Sequence, residues 1–312
     1  MSAEIDLLLD RRRLKHRLIF WRAAAVILLL AVVLLAIVRS GLALRFESHP
    51  HVAVLHVNGI IADDAARDRA VLALAATPSV KALIVAVDSP GGSVAGGEAL
   101  HDAIARVAAK KPVVVVMGPV AASAAYMISV PAARIFARQA TLTGSIGVLL
   151  QTGEVSGLLS KLGITSETIV SGPLKDQPNF TAPMTDAARK VMQGIVDNLY
   201  GQFVAMVAAG RHMSIPHVKR LADGRPYTGE QALGLGLIDA IGGMAEARAW
   251  LASAKGIPTS LPEVTLAPAG RSWLGRGLGL GGAWGSLAKV FLSQRVNLDG
   301  AWALWQPDQV LR

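Results

Sequence analysis

Two turns in this chain have the residue types of a reaction centre. Asp88-Ser89-Pro90-Gly91-Gly92-Ser93 follows an apolar run and opens a helical pattern, so its backbone amides can face negative charge. It is neither a Walker loop nor a dinucleotide fingerprint, because no Gly-Lys-Ser/Thr follows and the glycine spacing differs. It could serve a phosphate, an oxyanion, or only the geometry of a turn. The second, Gly118-Pro119-Val120-Ala121-Ala122-Ser123-Ala124-Ala125-Tyr126, crowds small residues around one serine. A serine on a sharp strand-to-helix turn is the logic of a nucleophile elbow, although Gly-x-Ser-x-Gly is missing. A small-residue helix packed on a sheet reads the same way.

A serine nucleophile needs a base. His49, His51, His56, His212 and His217 stand in no partner motif, and His101-Asp102 falls on the helix after the glycine turn, where a solvent-facing role accounts for it. Lysine is the alternative. Lys175, in Ser171-Gly172-Pro173-Leu174-Lys175-Asp176, sits on a Gly/Pro-bearing loop and by composition alone is a solvated lysine. To accept a proton it must be neutral against an ordinary lysine pKa of ~10.4, which needs an apolar surrounding and no carboxylate nearby. Asp176 would then have to point away.

The elements that must position these turns alternate between strand and helix. Strands are expected over residues 52–57, 82–87 and 113–117, near Ile135, and over 165–170. Helices are expected over 63–76 and 93–109, from about Ser123, over 155–162 and 185–209, from Ile215, and over 228–235 and 244–255. Short Val/Ile runs separated by helices predict an α/β fold with a largely parallel sheet covered on both faces. No internal repeat of solenoid period is present.

The chain has 312 residues, 52% hydrophobic and 17% charged, which excludes a disordered chain and allows membrane contact. Cysteine is absent, so no disulfide, thiolate nucleophile or cysteine-based metal site exists. Of the net charge of +9, residues 1–22 carry +3, 23–45 carry +2, 46–264 carry +1 and 265–312 carry +3. A folded body so nearly neutral argues against nucleic acid as a partner. Residues 18–38 are apolar apart from Arg22, and at ~1.5 Å per residue they span roughly 31 Å, the thickness of a bilayer core. Arg11-Arg12-Arg13-Leu14-Lys15-His16-Arg17 precedes them, and only Arg39 and Arg45 follow closely. The positive-inside rule places such an N-terminus in the cytoplasm and the body outside. Trp273, Trp284, Trp302 and Trp305 cluster near the C-terminus, and residues 283–292 have near-helical apolar spacing. That tail suits an interface with lipid or another protomer, or packing on its own domain. The expected organisation is a basic flank and anchor over 1–45, a catalytic body over 46–264, and a tail of undetermined role over 265–312.

Four ordered motifs carry a family resemblance: Asp88-Ser-Pro-Gly-Gly-Ser93, Ala121-Ala-Ser-Ala-Ala-Tyr126, Thr141-Leu-Thr-Gly-Ser-Ile-Gly147 and Ser171-Gly-Pro-Leu-Lys-Asp176. Together with Asp223-Gly-Arg-Pro-Tyr-Thr-Gly229 and Ala232-Leu-Gly-Leu-Gly-Leu-Ile-Asp239, they resemble the short, single-domain form of the bacterial signal peptide peptidase A family over roughly residues 50–255. The resemblance implies a membrane-anchored serine protease on the Clp protease/crotonase-like fold, with no metal or cofactor. It implies Ser123 as nucleophile, Lys175 as general base, Ser145 orienting the lysine amine, and the amides of Gly92 and Ala124 as oxyanion hole. Its members form dome-like homo-oligomers and degrade signal peptides left in the lipid bilayer after preprotein cleavage. One departure concerns pocket width, since the family usually has Gly-Gly after the nucleophile and this chain has Ala124-Ala125.

Three other readings compete. A sister inner-membrane peptidase would act on other membrane or periplasmic peptides. A crotonase-type acyl-CoA enzyme would use the oxyanion hole on a thioester, but the anchor and the Ser123/Lys175 pair count against it. A catalytically silent scaffold would need neither residue. The charge asymmetry predicts that residues 1–17 face the cytoplasm. A periplasm-dependent reporter fused after Arg312 should be active, and a fusion active only in the cytoplasm would reverse the topology.

Overall fold

Side chains of successive strand residues alternate between two buried faces. Ala53, Leu55, Val57, Leu83, Val85, Val87, Val113, Val115 and Met117 belong to one apolar cluster, and Val52, Val54, Ala82, Ile84, Val114 and Phe136 to the other. A sheet buried on both faces explains why these strands read as continuous Val/Ile runs. The computed structural model describes residues 21–22, 24–32, 34 and 49–266, and the backbone of 302–304.

The strands are β1 (His51–Asn58), β2 (Val80–Ser89), β3 (Gly91–Ser93), β4 (Val113–Ala122), β5 (Arg134–Ala137), β6 (Leu142–Gly144), β7 (Pro226–Thr228), β8 (Ala240–Ile241), β9 (Glu263–Thr265) and β10 (Trp302–Leu304). The helices are α1 (Ala65–Leu74), α2 (Val94–Ala108), α3 (Ala124–Met127), α4 (Ser156–Lys161), α5 (Asp186–Gly210), α6 (Ile215–Leu221), α7 (Gly229–Gly234) and α8 (Met244–Lys255). The main sheet runs β7-β6-β4-β2-β1-β9, with β5 joined to β4 and β8. All its pairings are parallel except β6 with β7. Phe203, Val204 and Val207 of α5 and Leu100, Ala103 and Ile104 of α2 fill the first cluster. Ala247 and Leu251 of α8 fill the second. The parallel α/β expectation therefore holds.

One feature of β4 organises the functional end. Its Val114–Val116 pair with β5, whereas Val120–Ala122 pair with β6 on β4's continuation beyond Gly118-Pro119. Pro119 is exposed and lies between the two ladders, so its missing N–H costs neither a bond. This is why β4 extends past 117, where the Gly-Pro pair suggested its end. The Thr141 hydroxyl donates to Gly118 O and the Thr143 hydroxyl to Ala121 O, each at 2.8 Å, which ties the extension to β6.

Two corrections concern secondary structure. No strand forms over residues 165–170, which are exposed and unpaired among the described residues. Their β-branched content supplies propensity, but a strand needs a neighbour. Beyond the expected list, β6, β7, β8 and β9 are short, and β9 carries the body's last pairing, with β1, to Thr265. The anchor expected over 18–38 and the helix expected over 283–292 lie partly or wholly outside the described residues. Within the unit of residues 1–50, positions described between 21 and 34 are helical. Among the described residues no helix is long and apolar enough to cross a membrane. Of the tail, Trp302–Leu304 pair with β3.

Beneath α3 a polar cluster locks three elements. Arg211, just after α5, holds Asp239 through both terminal nitrogens at 3.0 and 2.8 Å and donates through Nε to Gly236 O at 3.0 Å. Asp239 also accepts from Ile135 N at 2.7 Å, and the Tyr126 hydroxyl donates to Leu237 O at 2.8 Å. Burial pushes the Tyr126 phenol far up, so it remains a neutral donor. Asp239→Ala leaves the Arg211 charge largely desolvated with one partner gone. Chemical denaturation should register a loss of about 3 kcal/mol; a loss below ~1 kcal/mol would mean that solvent reaches the pair freely.

Candidate active site

Ser123 ends β4 and precedes α3 with φ 58° and ψ −120°. A residue with a Cβ rarely adopts such a backbone, whose cost is on the order of 1–3 kcal/mol, so neighbouring bonds must impose it. Ser123 N donates to Gly144 O at 2.8 Å, continuing the ladder one step beyond the Ala122–Gly144 pair, and Met127 N donates to Ser123 O at 2.9 Å. The residue is 1% exposed, and among the described residues its Oγ has no hydrogen-bond partner. The sequence expectation of a sharp turn presenting a serine is met in this geometry.

The β4–β6 ladder also places Ser145. Gly144 has φ 74°, and a Cβ there would come within 2.7 Å of the Tyr227 ring, so glycine is required twice over. Ser145 follows with φ 48° and donates its N–H to Arg225 O at 3.0 Å. Ser123 and Ser145 thus flank the end of one ladder, and both are buried.

Gly92 and Ala124 come from the two neighbouring turns. On one edge of β3, Ile61 N donates to Gly91 O and Ser93 N donates to Ile61 O, each at 2.9 Å. A Cβ at Gly92 would lie 1.9 Å from Ile61 O, so only glycine allows this approach. The Ser89 hydroxyl accepts from Gly91 N at 3.1 Å and fixes the turn between β2 and β3. α3 packs on β3, and Ala124, its first residue, lies where a helix leaves its opening amides without intrahelical acceptors. Ser123, Ser145, Gly92 and Ala124 are therefore gathered at the same end of the sheet.

Lys175 is not bonded into that group. It lies in a turn closed by its own N–H to Gly172 O at 3.0 Å, is exposed, and among the described residues its amine forms neither a hydrogen bond nor an ion pair. Asp176 is engaged with the Asn179 amide instead, as a basic amine beside it would require. Lys175 belongs to a stretch, residues 147–187, in which no residue is buried. That arm exposes Leu158, Leu162, Ile164, Ile169, Leu174 and Phe180 among other large apolar residues, with Ile169 at 94%. Of the histidines, His101 Nδ1 meets Asp102 Oδ1 at 3.0 Å and His217 Nδ1 meets Arg220 at 3.1 Å, so neither contacts Ser123.

Sequence reasoning passed over Asp88, whose carboxylate accepts from Val120 N at 3.3 Å across the two turns. It also passed over Ser89, Thr141 and Thr143, whose hydroxyls tie down the backbone around Ser123. Their presence inside the quoted motifs was the available signal. Among the described residues no cluster of His, Asp and Glu could hold a metal ion.

The profile described as Peptidase family S49 matches residues 105–258. A candidate protease of Synechocystis is 38% identical over 70% of this chain and 80% of its own length. A Salmonella typhi protein named Protease 4 is 39% identical over 53% of this chain and 27% of its own. An Arabidopsis thaliana protein named serine protease SPPA, chloroplastic, is 34% identical over 60% of this chain and 28% of its own. The chain thus spans most of the first relative and little more than a quarter of the other two. With a relative of this identity matched over four fifths of its length, the chain belongs to peptidase family S49 and is a serine peptidase.

Proposed function

We propose that this chain is a membrane-anchored Ser–Lys endopeptidase that degrades the apolar remnants of signal peptides. The observation that carries the reading is Ser123, held at a strained turn with its buried hydroxyl uncommitted. Its Oγ attacks a peptide carbonyl while the neutral Lys175 amine takes the hydroxyl proton. The tetrahedral oxygen is stabilised by the Gly92 and Ala124 amides. The lysine then gives its proton to the departing amine, and water hydrolyses the acyl-enzyme by the same two steps. Ser145 orients the amine without adding charge. The parallel sheet with helices on both faces fits the Clp protease/crotonase-like fold.

Anchoring is supported by the N-terminal unit, where Val26, Ile27, Leu28, Leu29 and Leu30 are consecutive, helical and exposed. A helix apolar on all sides needs a nonaqueous surrounding. Lipid is therefore a partner in this reading, with the body extracytoplasmic. Homo-oligomer formation is supported by the arm over 147–187, where many large apolar side chains are exposed, as at surfaces that meet another protein. Covering the arm with another copy would also strip water from Lys175, as a neutral amine requires.

Two experiments test this. Lys175→Ala and Lys175→Arg should each abolish peptide turnover with folding retained, because a guanidinium stays protonated. Ser145→Ala should lower kcat with the nucleophile still present. A Lys175→Ala protein with near-native activity, or one silenced only when His101 is also changed, would move the base to histidine. Second, Ile169→Asp should dissociate the assembly and lose activity in parallel, while Ser123→Ala leaves the mass unchanged. A fully active monomer in the ultracentrifuge would refute the role of assembly.

A further inference from the structure

The end of the sheet opposite Ser123 is basic. Parallel pairing brings the first residues of β1, β2, β4 and β5 to that end, with His51 beside Val80, Leu83 beside Val113 and Val114 beside Arg134. His51 pairs with Val80 and Val52 with Ala82, which leaves Lys81 without a partner across the ladder, in a bulge that exposes it. Lys110 and Lys111 lie between α2 and β4 at the same end. The Lys111 amine donates to Thr77 O. Burial, and then the charges of Lys81 and Lys110, hold that amine below the ordinary lysine range, so the three cations are near enough to repel one another. Among the described residues none of the three forms an ion pair. The carboxylates that begin neighbouring strands here are already taken, Asp239 by Arg211 and Glu263 by Arg248. On the far side of β4, Arg134 opens β5 and Lys255 ends α8, and their charged groups lie 5.8 and 5.6 Å from the centroid of the Trp250 ring. An indole flanked by cations suits a headgroup layer. Because residues 46–264 together carry only +1, this end is a local excess of charge on a nearly neutral body.

We propose that this end of the sheet is a docking face for anionic phospholipid headgroups. It rests on the anchoring reading given under Proposed function. β1 begins at this end, so the chain from the apolar run of residues 18–38 joins the body here, through residues 39–50. Twelve residues reach roughly 40 Å when fully extended, which keeps the face close to the bilayer. Each cation attracts anionic lipid only within a Debye length of ~10 Å, but a tethered face meets the surface at high effective concentration, so a few such attractions suffice. Docking turns the catalytic end away from the lipid. The ten residues of β4, at ~3.3 Å each, put Ser123 on the order of 30 Å from the docked end. An apolar remnant must then protrude from the bilayer before it is cut.

The test places the full chain in lipid nanodiscs of phosphatidylcholine, alone or with about one third phosphatidylglycerol, and follows acetylation of single lysines by mass spectrometry. In the anionic discs Lys81, Lys110 and Lys255 should react roughly five-fold more slowly, Lys219 on α6 should be unchanged, and about 0.5 M salt should remove the difference. Combining Lys81→Gln with Lys110→Gln should abolish the slowing at Lys255. Both side chains are exposed and Lys111 keeps its bond to Thr77, so the fold is preserved. Equal rates in the two lipid compositions, or equal slowing of Lys219, would overturn the docking face and leave the anchor standing. Slowing by a soluble acidic peptide but not by the anionic discs would give the face to a protein partner and overturn it too. A chain that stays in solution without detergent and does not enter the discs would remove the anchor, and this proposal with it.

Discussion

The 2.8 Å hydrogen bond from Ser123 N to Gly144 O is the interaction on which the rest of the site depends. Without it, a residue bearing a Cβ has no reason to remain at φ 58°, and relaxing would swing the hydroxyl and the first turn of α3 together. The same bond ends the ladder that carries Ser145, so nucleophile and neighbouring serine share one support. Gly144 can hold this place only as glycine, because its φ is positive and a Cβ there would meet the Tyr227 ring at 2.7 Å. The site is thus built from backbone first, and its side chains inherit their positions.

That ladder exists because β4 changes partners. Its first half is locked between β2 and β5 in the deepest part of the sheet, where Val113, Val114 and Val115 are completely buried. Its second half emerges past Pro119 with β6 on one side and Ser89 of β2 opposite Ala121 on the other. The hydroxyls of Thr141, just before β6, and Thr143, within it, reach across to β4 carbonyls, and Asp88 caps Val120 from the β2 side. Strain at Ser123 is therefore opposed by bonds from two directions and by core burial a few residues upstream. The Arg211–Asp239 pair and Tyr126 hold α3 from below, which keeps the helix from rotating to relieve the turn.

Much of this was legible in the amino-acid order because burial writes itself into composition. The runs over 82–87 and 113–117 are apolar because both faces of the sheet are covered, and the small residues around Ser123 mark where α3 approaches β3. What failed to show is equally physical. β6, β7 and β9 have three residues each and derive their conformation from neighbours rather than from any pattern of their own. Residues 165–170 have the opposite character, with strand-forming side chains and no strand beside them. Gly118-Pro119 reads as a terminus because sequence cannot reveal that a partner switch makes the missing N–H harmless. The pairing of Trp302–Leu304 with Gly91–Ser93 joins segments about two hundred residues apart, and although each stands out by composition, neither signals the other.

The two proposed members of the dyad sit in opposite environments, and the asymmetry has a direction. Ser123 is buried and fixed by bonds already made, so it gains little from further ordering. Lys175 needs desolvation to act as a base, yet it stands on the most exposed stretch of the body. Within the proposed reading, the nucleophile is ready in a single folded chain, whereas the base is conditional on covering the arm.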